Sequence, residues 1–414
     1  MKIHWQILIA ILAAIVIGWL SGPDGAIFGV KLVDIYTFIG TLFINALKML
    51  IVPLIVSALI AGVSGIGAGE GLGRLGIKTV VYYLVTSFIA ILIGLVLVNI
   101  IQPGIGSVPQ GELSSSLISR VEGKGMGDIV EVFLRMVPTN IVAAAAEGQM
   151  LGLIFFSLLY GFFMTRIRED LASQQIKFWQ GVFEVMMKIT VLIMRFAPIG
   201  VFGLVAAVVA KTGFSQFATV LKFFITVSGA LLIHLLIILP LLLRYIGRVD
   251  PIRHFKAMAP AMLTAFSTSS SSATLPVTID CVENRAGVSN RTTSLVLPLG
   301  ATVNMDGTAL YECVAAIFIA QAFGLELSFF TQFVIVFTAL ITSVGVAGIP
   351  SASLVAITVI LAAIGLPVEG IGMLLITDRI LDMFRTCVNV FSDSCGAVII
   401  GKLEGEENIL TDNQ

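Results

Sequence analysis

The chain has 414 residues, 57% of them hydrophobic and only 12% charged, about half the charged share of a soluble globular protein. Its formal net charge is −1 and no basic stripe runs along it, so nothing in the sequence suits nucleic acid as a partner. Apolar runs of about 20 residues, the length that crosses a bilayer as helix, recur from end to end. A soluble core cannot absorb so many, and the chain reads as an all-α, multi-pass membrane protein.

In chain order the clearest apolar runs are 6–20, 41–65, 79–101, 149–163, 183–210, 219–243, 309–323, 332–363 and 366–401. The first has no small-residue cleavage site after it and is expected to stay as a helix. The longest connector, 102–127, is rich in Gly and Ser and reads as flexible. Cys281, Cys313, Cys387 and Cys395 have no metal-ligand spacing and are expected as core residues.

With the N-terminus inside, most Lys and Arg between the runs fall on the cytoplasmic face, among them Arg74, Lys78, Arg166, Arg285, Arg291 and Lys402. Lys31, Arg120, Lys124, Lys211 and Lys222 fall on the other. That distribution requires 257–280 and 340–363 to dip into the membrane and return on the same side. Paired broken segments of this kind point to a transporter built on inverted repeats. Both termini are then cytoplasmic, and the protein sits in the cell membrane.

Non-helical backbone at membrane depth needs protein or an ion around it, and four stretches have that character. In Ser267–Pro276 the hydroxyls compete with helical bonds, and Pro276 disfavours helix at Thr274–Leu275, so a hairpin tip is expected there. In Asn304–Thr308 a mid-span aspartate, Asp306, costs roughly 2.5–3.5 kcal/mol, beside Gly307, which weakens the helix. A broken helix with a carboxylate and loose carbonyls suits a hard cation such as Na⁺; an aspartate satisfied by a partner helix is the alternative. Gly345, Gly348 and Pro350 break 343–351, a second candidate tip that can act as a lid. An ordinary loop is the alternative for either tip.

The fourth stretch is the last span. At about 100° per residue, Asp378, Arg385, Thr386, Asn389 and Asp393 fall within roughly 60° of Asp382, one polar stripe on an apolar helix. Mutual pairing of Asp382 with Arg385 is the bland reading. The functional one is that Arg385 grips a carboxylate, Asp382 takes an ammonium, and Thr386 and Asn389 add hydrogen bonds. Aspartate or glutamate would satisfy all of them, leaving Asp306 and Asp393 for cations. Glu312, beyond the break, is a candidate proton carrier. His234, alone in an apolar run, reads more readily as a packing residue than as a relay. No serine has a base in register, so no enzyme activity and no organic cofactor are expected.

The motifs TSSSSATLPVT (268–278), LPLGATVNMDGTALYE (297–312), SVGVAGIP (343–350) and DRILDMFRTCVNV (378–390) resemble the dicarboxylate/amino acid:cation symporter family, which includes animal glutamate and archaeal aspartate transporters. The resemblance covers essentially the whole chain. It implies a homotrimer whose protomers have eight transmembrane helices and two re-entrant hairpins. A transport domain, about 77–101 and 216–414, slides as an elevator on a trimerisation scaffold, about 1–76 and 127–215. It implies substrate binding by Arg385, Asp382, Thr308, Thr386 and Asn389, with backbone at Ser270 and from Val346 to Gly348.

The same resemblance implies three sodium sites. One uses Asp393 with carbonyls of Gly300, Asn304 and Asn389; a second uses Thr302 with carbonyls of Ser343, Val344 and Val346; a third uses Tyr83, Thr86 and Ser87 with Asn304 and Asp306. Three Na⁺ and one H⁺ per acidic amino acid are expected. Glu312 matches the animal transporters, where that residue carries the proton. The chain departs from both branches at one point. Archaeal members have Arg where this chain has Ser269, animal members have Arg where it has Met383, and here the nearby arginine is Arg379. Cystine, a dicarboxylate or a neutral amino acid as substrate, and an ion channel, are the alternatives.

Overall fold

The computed structural model describes residues 3–66, 73–106, 137–147, 150–212, 217–345, 353–366 and 370–411. Among them every element is helical except a small hairpin that pairs Ala26–Ile27 with Val30–Lys31. Helices close their backbone hydrogen bonds within one segment, which is what a lipid environment demands. In order they are α1 (Ile3–Ser21), α2 (Leu32–Ile66), α3 (Gly73–Ile101), α4 (Ile141–Ala146), α5 (Met150–Met164), α6 (Glu169–Arg195) and α7 (Ala197–Thr212). Then come α8 (Phe217–Ile233, extended through π-helical turns at His234–Ile238 and Leu243–Gly247), α9 (Pro251–Thr268), α10 (Ser271–Asp280) and α11 (Asn290–Val303). The last four are α12 (Asp306–Ala322), α13 (Phe329–Gly345), α14 (Ser353–Ile364) and α15 (Ile371–Leu403).

Among the described residues, four stretches are long and apolar enough to cross a membrane: Leu75–Ile101, Ala218–Gly247, Asn290–Ala322 and Ile371–Leu403. The pair α6–α7 counts as a fifth if taken as one broken span. The apolar run 183–210 is therefore not one straight helix. It bends by 55° between Arg195 and Ala197, where Pro198 enters the first turn of α7 and its missing N–H costs least.

The helices pack in two groups. In the first, α1 and α2 pack on α7, and α5 and α6 pack on α2. The α2–α7 crossing is close because Gly203 has no side chain; a Cβ there would come within 2.8 Å of the Tyr36 carbonyl oxygen. In the second, α3, α8, α9, α10, α11, α13 and α14 each pack on α12, on α15 or on both. The groups meet where α7 touches α15 and where α2 touches α13 and α14. Apolar side chains such as Leu20, Ile100 and Ile225 stay exposed on α1, α3 and α8, as lipid-facing surfaces require. By contrast, every residue of α12 from Asp306 to Ala320 is buried.

The first broken segment reverses between α9 and α10, which pack on each other. Its tip lies at Ser269–Ser270, within the expected stretch Ser267–Pro276, and the helix continues through Thr274–Leu275 despite Pro276. Ser269 closes α9 in the left-handed conformation (φ 50°), and the Ser270 hydroxyl caps α10 by accepting from the Ala273 N–H at 3.2 Å. Thr274 donates to the Ser270 carbonyl at 2.8 Å. These local bonds outweigh Pro276, which lies inside α10. The second expected tip has α13 and α14 on either side, packed together. Its residues Val346 to Ser351, including Gly348, lie outside the described residues.

Beyond α15 the chain folds back as a strap. The Glu406 carboxylate accepts from the Ser289 N–H at 2.8 Å and from the Ser289 and Thr292 hydroxyls at 2.6 Å each. It thereby caps the N-terminus of α11, where the helix dipole favours an anion. The Leu410 N–H donates to the Ala286 carbonyl, and Lys78 pairs with Glu404. Partial burial alone raises the Glu406 carboxyl, but the hydrogen bonds from Ser289 and Thr292, with Arg291 nearby, outweigh it and hold the group below its ordinary value. A carboxyl held low adds stability above the ordinary carboxylate range and loses it as the pH falls. Glu406→Gln should therefore cost about 1 kcal/mol at neutral pH, and the gap from wild type should close in acid, as read by thermal unfolding in detergent.

Candidate functional site

The centre of the second group is a break in one span. The α11 helix ends at Val303, and Asn304 (φ −92°, ψ 83°) and Met305 (φ −111°, ψ 52°) leave helical geometry before α12 begins at Asp306. An interrupted helix leaves unpaired N–H groups at its new start. One of them, the Gly307 N–H, donates to the Asn389 side-chain oxygen of α15 at 2.8 Å. The Gly307 backbone approaches α15 so closely that a Cβ would lie 2.8 Å from the Arg385 carbonyl oxygen.

Around the break lies a buried layer of oxygens. Asp306 accepts from the Ser87 hydroxyl at 2.6 Å and from the Ser392 hydroxyl at 2.7 Å, and faces His234 Nε2 at 2.9 Å. Asn304 donates to Asp393 at 2.9 Å and to the Ser392 hydroxyl at 3.0 Å, while its own oxygen accepts from Thr86 at 3.4 Å. Gly300 completes the layer. A Cβ there would fall 2.5 Å from Asp393 Oδ1 and 2.7 Å from the Tyr83 hydroxyl. Tyr83 donates to the Val296 carbonyl at 2.6 Å. Two carboxylates, an amide, hydroxyls and unwound backbone form the all-oxygen kind of environment that hard cations take.

One and a half turns along α15 lies a cluster of charge. Arg385 is fully buried; its Nη2 donates to Asp378 at 3.0 Å and to Asp382 at 2.9 Å. Its guanidinium lies 3.8 Å from the centre of the Tyr311 ring. Its Nε and Nη1 have no hydrogen-bond partner among the described residues. Arg379 holds the other oxygen of Asp382 at 3.3 Å. Between the charge cluster and the buried polar layer, Asn389 donates to the Thr308 hydroxyl at 3.1 Å. Glu312 is buried two turns into α12; one oxygen accepts from Thr342 of α13 at 3.0 Å and the other has no partner among the described residues.

The structure thus brings together Tyr83, Thr86, Ser87, Gly300, Asn304, Asp306 and Asp393, and beside them Thr308, Asp382, Arg385 and Asn389. Thr386 turns its hydroxyl to the Asp382 carbonyl within α15. Thr302 is exposed and bonds back to the Leu299 carbonyl, and Ser343 bonds the Leu340 carbonyl. Neither of these two reaches the layer by its side chain. Val344 ends α13 with Gly345, and the Val346 and Gly348 partners expected for this set lie outside the described residues.

A family profile described as the sodium:dicarboxylate symporter family matches residues 3–403. The chain belongs to this family. It is 36% identical to the proton/glutamate-aspartate symporter of Escherichia coli strain K12, over 97% of this chain and 93% of that one. It is equally similar to the proton/sodium-glutamate symport protein of Bacillus caldotenax, at 36% over 98% and 95%. Mouse excitatory amino acid transporter 3 is 37% identical over 98% of this chain and 86% of its own. As a member of this family, with its long apolar helices, the chain is a multi-pass membrane protein.

Three residues that sequence reasoning undervalued sit in the buried polar layer or in the charge cluster beside it. His234 is a direct partner of Asp306, placed by α8. Phe223 of α8 packs on Phe318 of α12 with ring centres 4.5 Å apart, and eleven residues, three helical turns, carry the same face to His234. Nothing local marks it, since its partner is 72 residues away. Ser392, one step off the polar stripe, bridges Asn304 and Asp306. Asp378 is the second anion on Arg385. The stripe contained it, but only the i, i+7 geometry of a straight helix gave it that role.

Proposed function

We propose that this chain is a secondary symporter that imports the acidic amino acids L-glutamate and L-aspartate, driven by Na⁺ and H⁺. The names of its relatives support the substrate class. The observation that carries the reading is Arg385: a fully buried guanidinium with two nitrogens that have no hydrogen-bond partner among the described residues, beside a carboxylate that faces it. In the empty site Arg385 and Asp382 neutralise one another. An acidic amino acid offers each a replacement of the right sign, its side-chain carboxylate to Arg385 and its ammonium to Asp382. Asn389, Thr308 and Thr386 complete the contacts, with backbone at Ser270 and at Val346 to Gly348 closing the pocket from the two hairpins.

Sodium binds in three places on this reading: at Asp393 with Gly300, Asn304 and Asn389; at Asp306 with Tyr83, Thr86, Ser87 and Asn304; and at Thr302 with Ser343, Val344 and Val346. Glu312 carries the proton, supported by its burial and by one oxygen that has no partner among the described residues. Three Na⁺ and one H⁺ per substrate move net positive charge inward, worth about 2.3 kcal/mol per charge per 100 mV.

Eight membrane helices and two re-entrant hairpins make up each protomer of a homotrimer, with both termini cytoplasmic. The first packed group of helices is the scaffold and the second the elevator. What supports this division is that the groups have separate internal packing and a limited seam.

The test is uptake of labelled L-glutamate and L-aspartate into proteoliposomes under an inward Na⁺ gradient, with and without a pH gradient. Succinate, serine and cystine serve as competitors. Na⁺-dependent uptake that only acidic amino acids inhibit is expected, and a pH gradient should stimulate it. Uptake indifferent to Na⁺ would overturn the coupling, and competition by succinate or cystine would overturn the substrate.

A further inference from the structure

Asp382 is held by two arginines, not one. Arg385 takes Oδ1 at 2.9 Å, and Arg379, three residues before it, takes Oδ2 at 3.3 Å. Asp378 binds the same Nη2 of Arg385. All four side chains are at most 10% exposed. Their formal charges, two negative and two positive, sum to zero. Arg379 has no part in the substrate contacts described above, which need only Arg385 and Asp382. Yet a cluster of Asp378, Asp382 and Arg385 alone would carry a net negative charge in a buried site, which is costly to keep and costlier to move through lipid.

We propose that Arg379 is a positioning residue for the return of the empty carrier. It steadies Asp382 by its second oxygen and keeps the four-charge cluster neutral when no substrate is bound, so that this cluster adds no net charge to the empty carrier as it crosses. This rests on the acidic-amino-acid reading and on alternating access. The loaded carrier has the substrate and its cations to balance charge and depends on Arg379 less. Loss of the positive charge should therefore slow net uptake, which needs the empty return, more than exchange, which does not.

The experiment uses purified full-length protein in proteoliposomes with labelled L-aspartate and equal Na⁺ on both sides for exchange, and an inward Na⁺ gradient with no internal substrate for net uptake. Arg379→Gln should lower net uptake by at least about tenfold while exchange stays within about threefold. Arg379→Lys, which keeps the charge, should recover most of the net uptake. The double variant Asp378→Asn with Arg379→Gln, which restores a neutral cluster, should recover net uptake relative to Arg379→Gln alone. Parallel loss of both modes, equal behaviour of the Lys and Gln variants, or no gain in the double variant would overturn the proposal and leave the substrate reading standing. Wild-type protein that does not exchange L-aspartate would overturn the substrate reading, and this proposal with it.

Discussion

Replacing Arg385 should abolish high-affinity uptake of acidic amino acids. The guanidinium is fully buried and bonded to Asp378 and Asp382. Removing it leaves two carboxylates close together without their common partner. Breaking a buried ion pair from one side costs about 3–5 kcal/mol, so Arg385→Ala threatens folding as well as transport. Arg385→Lys separates the two effects. It keeps the charge near Asp378 and Asp382 but loses the fork that grips a carboxylate at two points. One lost charge-assisted hydrogen bond of about 2 kcal/mol corresponds to about a 30-fold rise in KM. Expression and monodispersity in detergent should match wild type for Arg385→Lys, with the loss confined to acidic substrates. Undiminished aspartate affinity in that variant would remove Arg385 from the pocket.

The second large effect is at Asp306. Its carboxylate has no exposed surface and meets Ser87, Ser392 and His234. All three can donate toward it, and the two hydroxyls can instead turn their lone pairs to a cation held by the same carboxylate. Asp306→Asn preserves size and most hydrogen bonds while deleting the charge. The Na⁺ concentration for half-maximal uptake should rise at least about tenfold, equivalent to about 1.4 kcal/mol, with a much smaller change in thermal stability. Unchanged Na⁺ activation would reduce Asp306 to a packing role with His234 and remove one sodium site from the scheme.

The polar stripe of the last span was legible because helical geometry is periodic. Six positions spaced by turns must share a face wherever the helix sits, and a membrane helix turns such a face inward. The interruption at Asn304–Met305 was legible for a related reason: an aspartate next to a glycine in an apolar run is costly unless something pairs with it. At the first hairpin the hydroxyl-rich stretch marked the tip, where the Ser270 hydroxyl caps α10, but Pro276 did not interrupt the helix at Thr274–Leu275.

What the sequence could determine by itself was therefore the membrane class, the existence of a broken span, and the identity of the charged residues that hydrocarbon could not tolerate unpaired. These follow from hydrophobicity and helical period, which act along one segment. Tertiary structure alone decided which of those residues share a partner. His234 meets Asp306, Asn389 caps α12, Glu312 takes a hydrogen bond from Thr342, and Arg379 holds Asp382. The first three join different helices, and no local pattern encodes which face of one helix packs on another. The fourth lies within one helix, but a charge three residues away can pair or point to water, and the burial of Arg379 and Asp382 makes them pair.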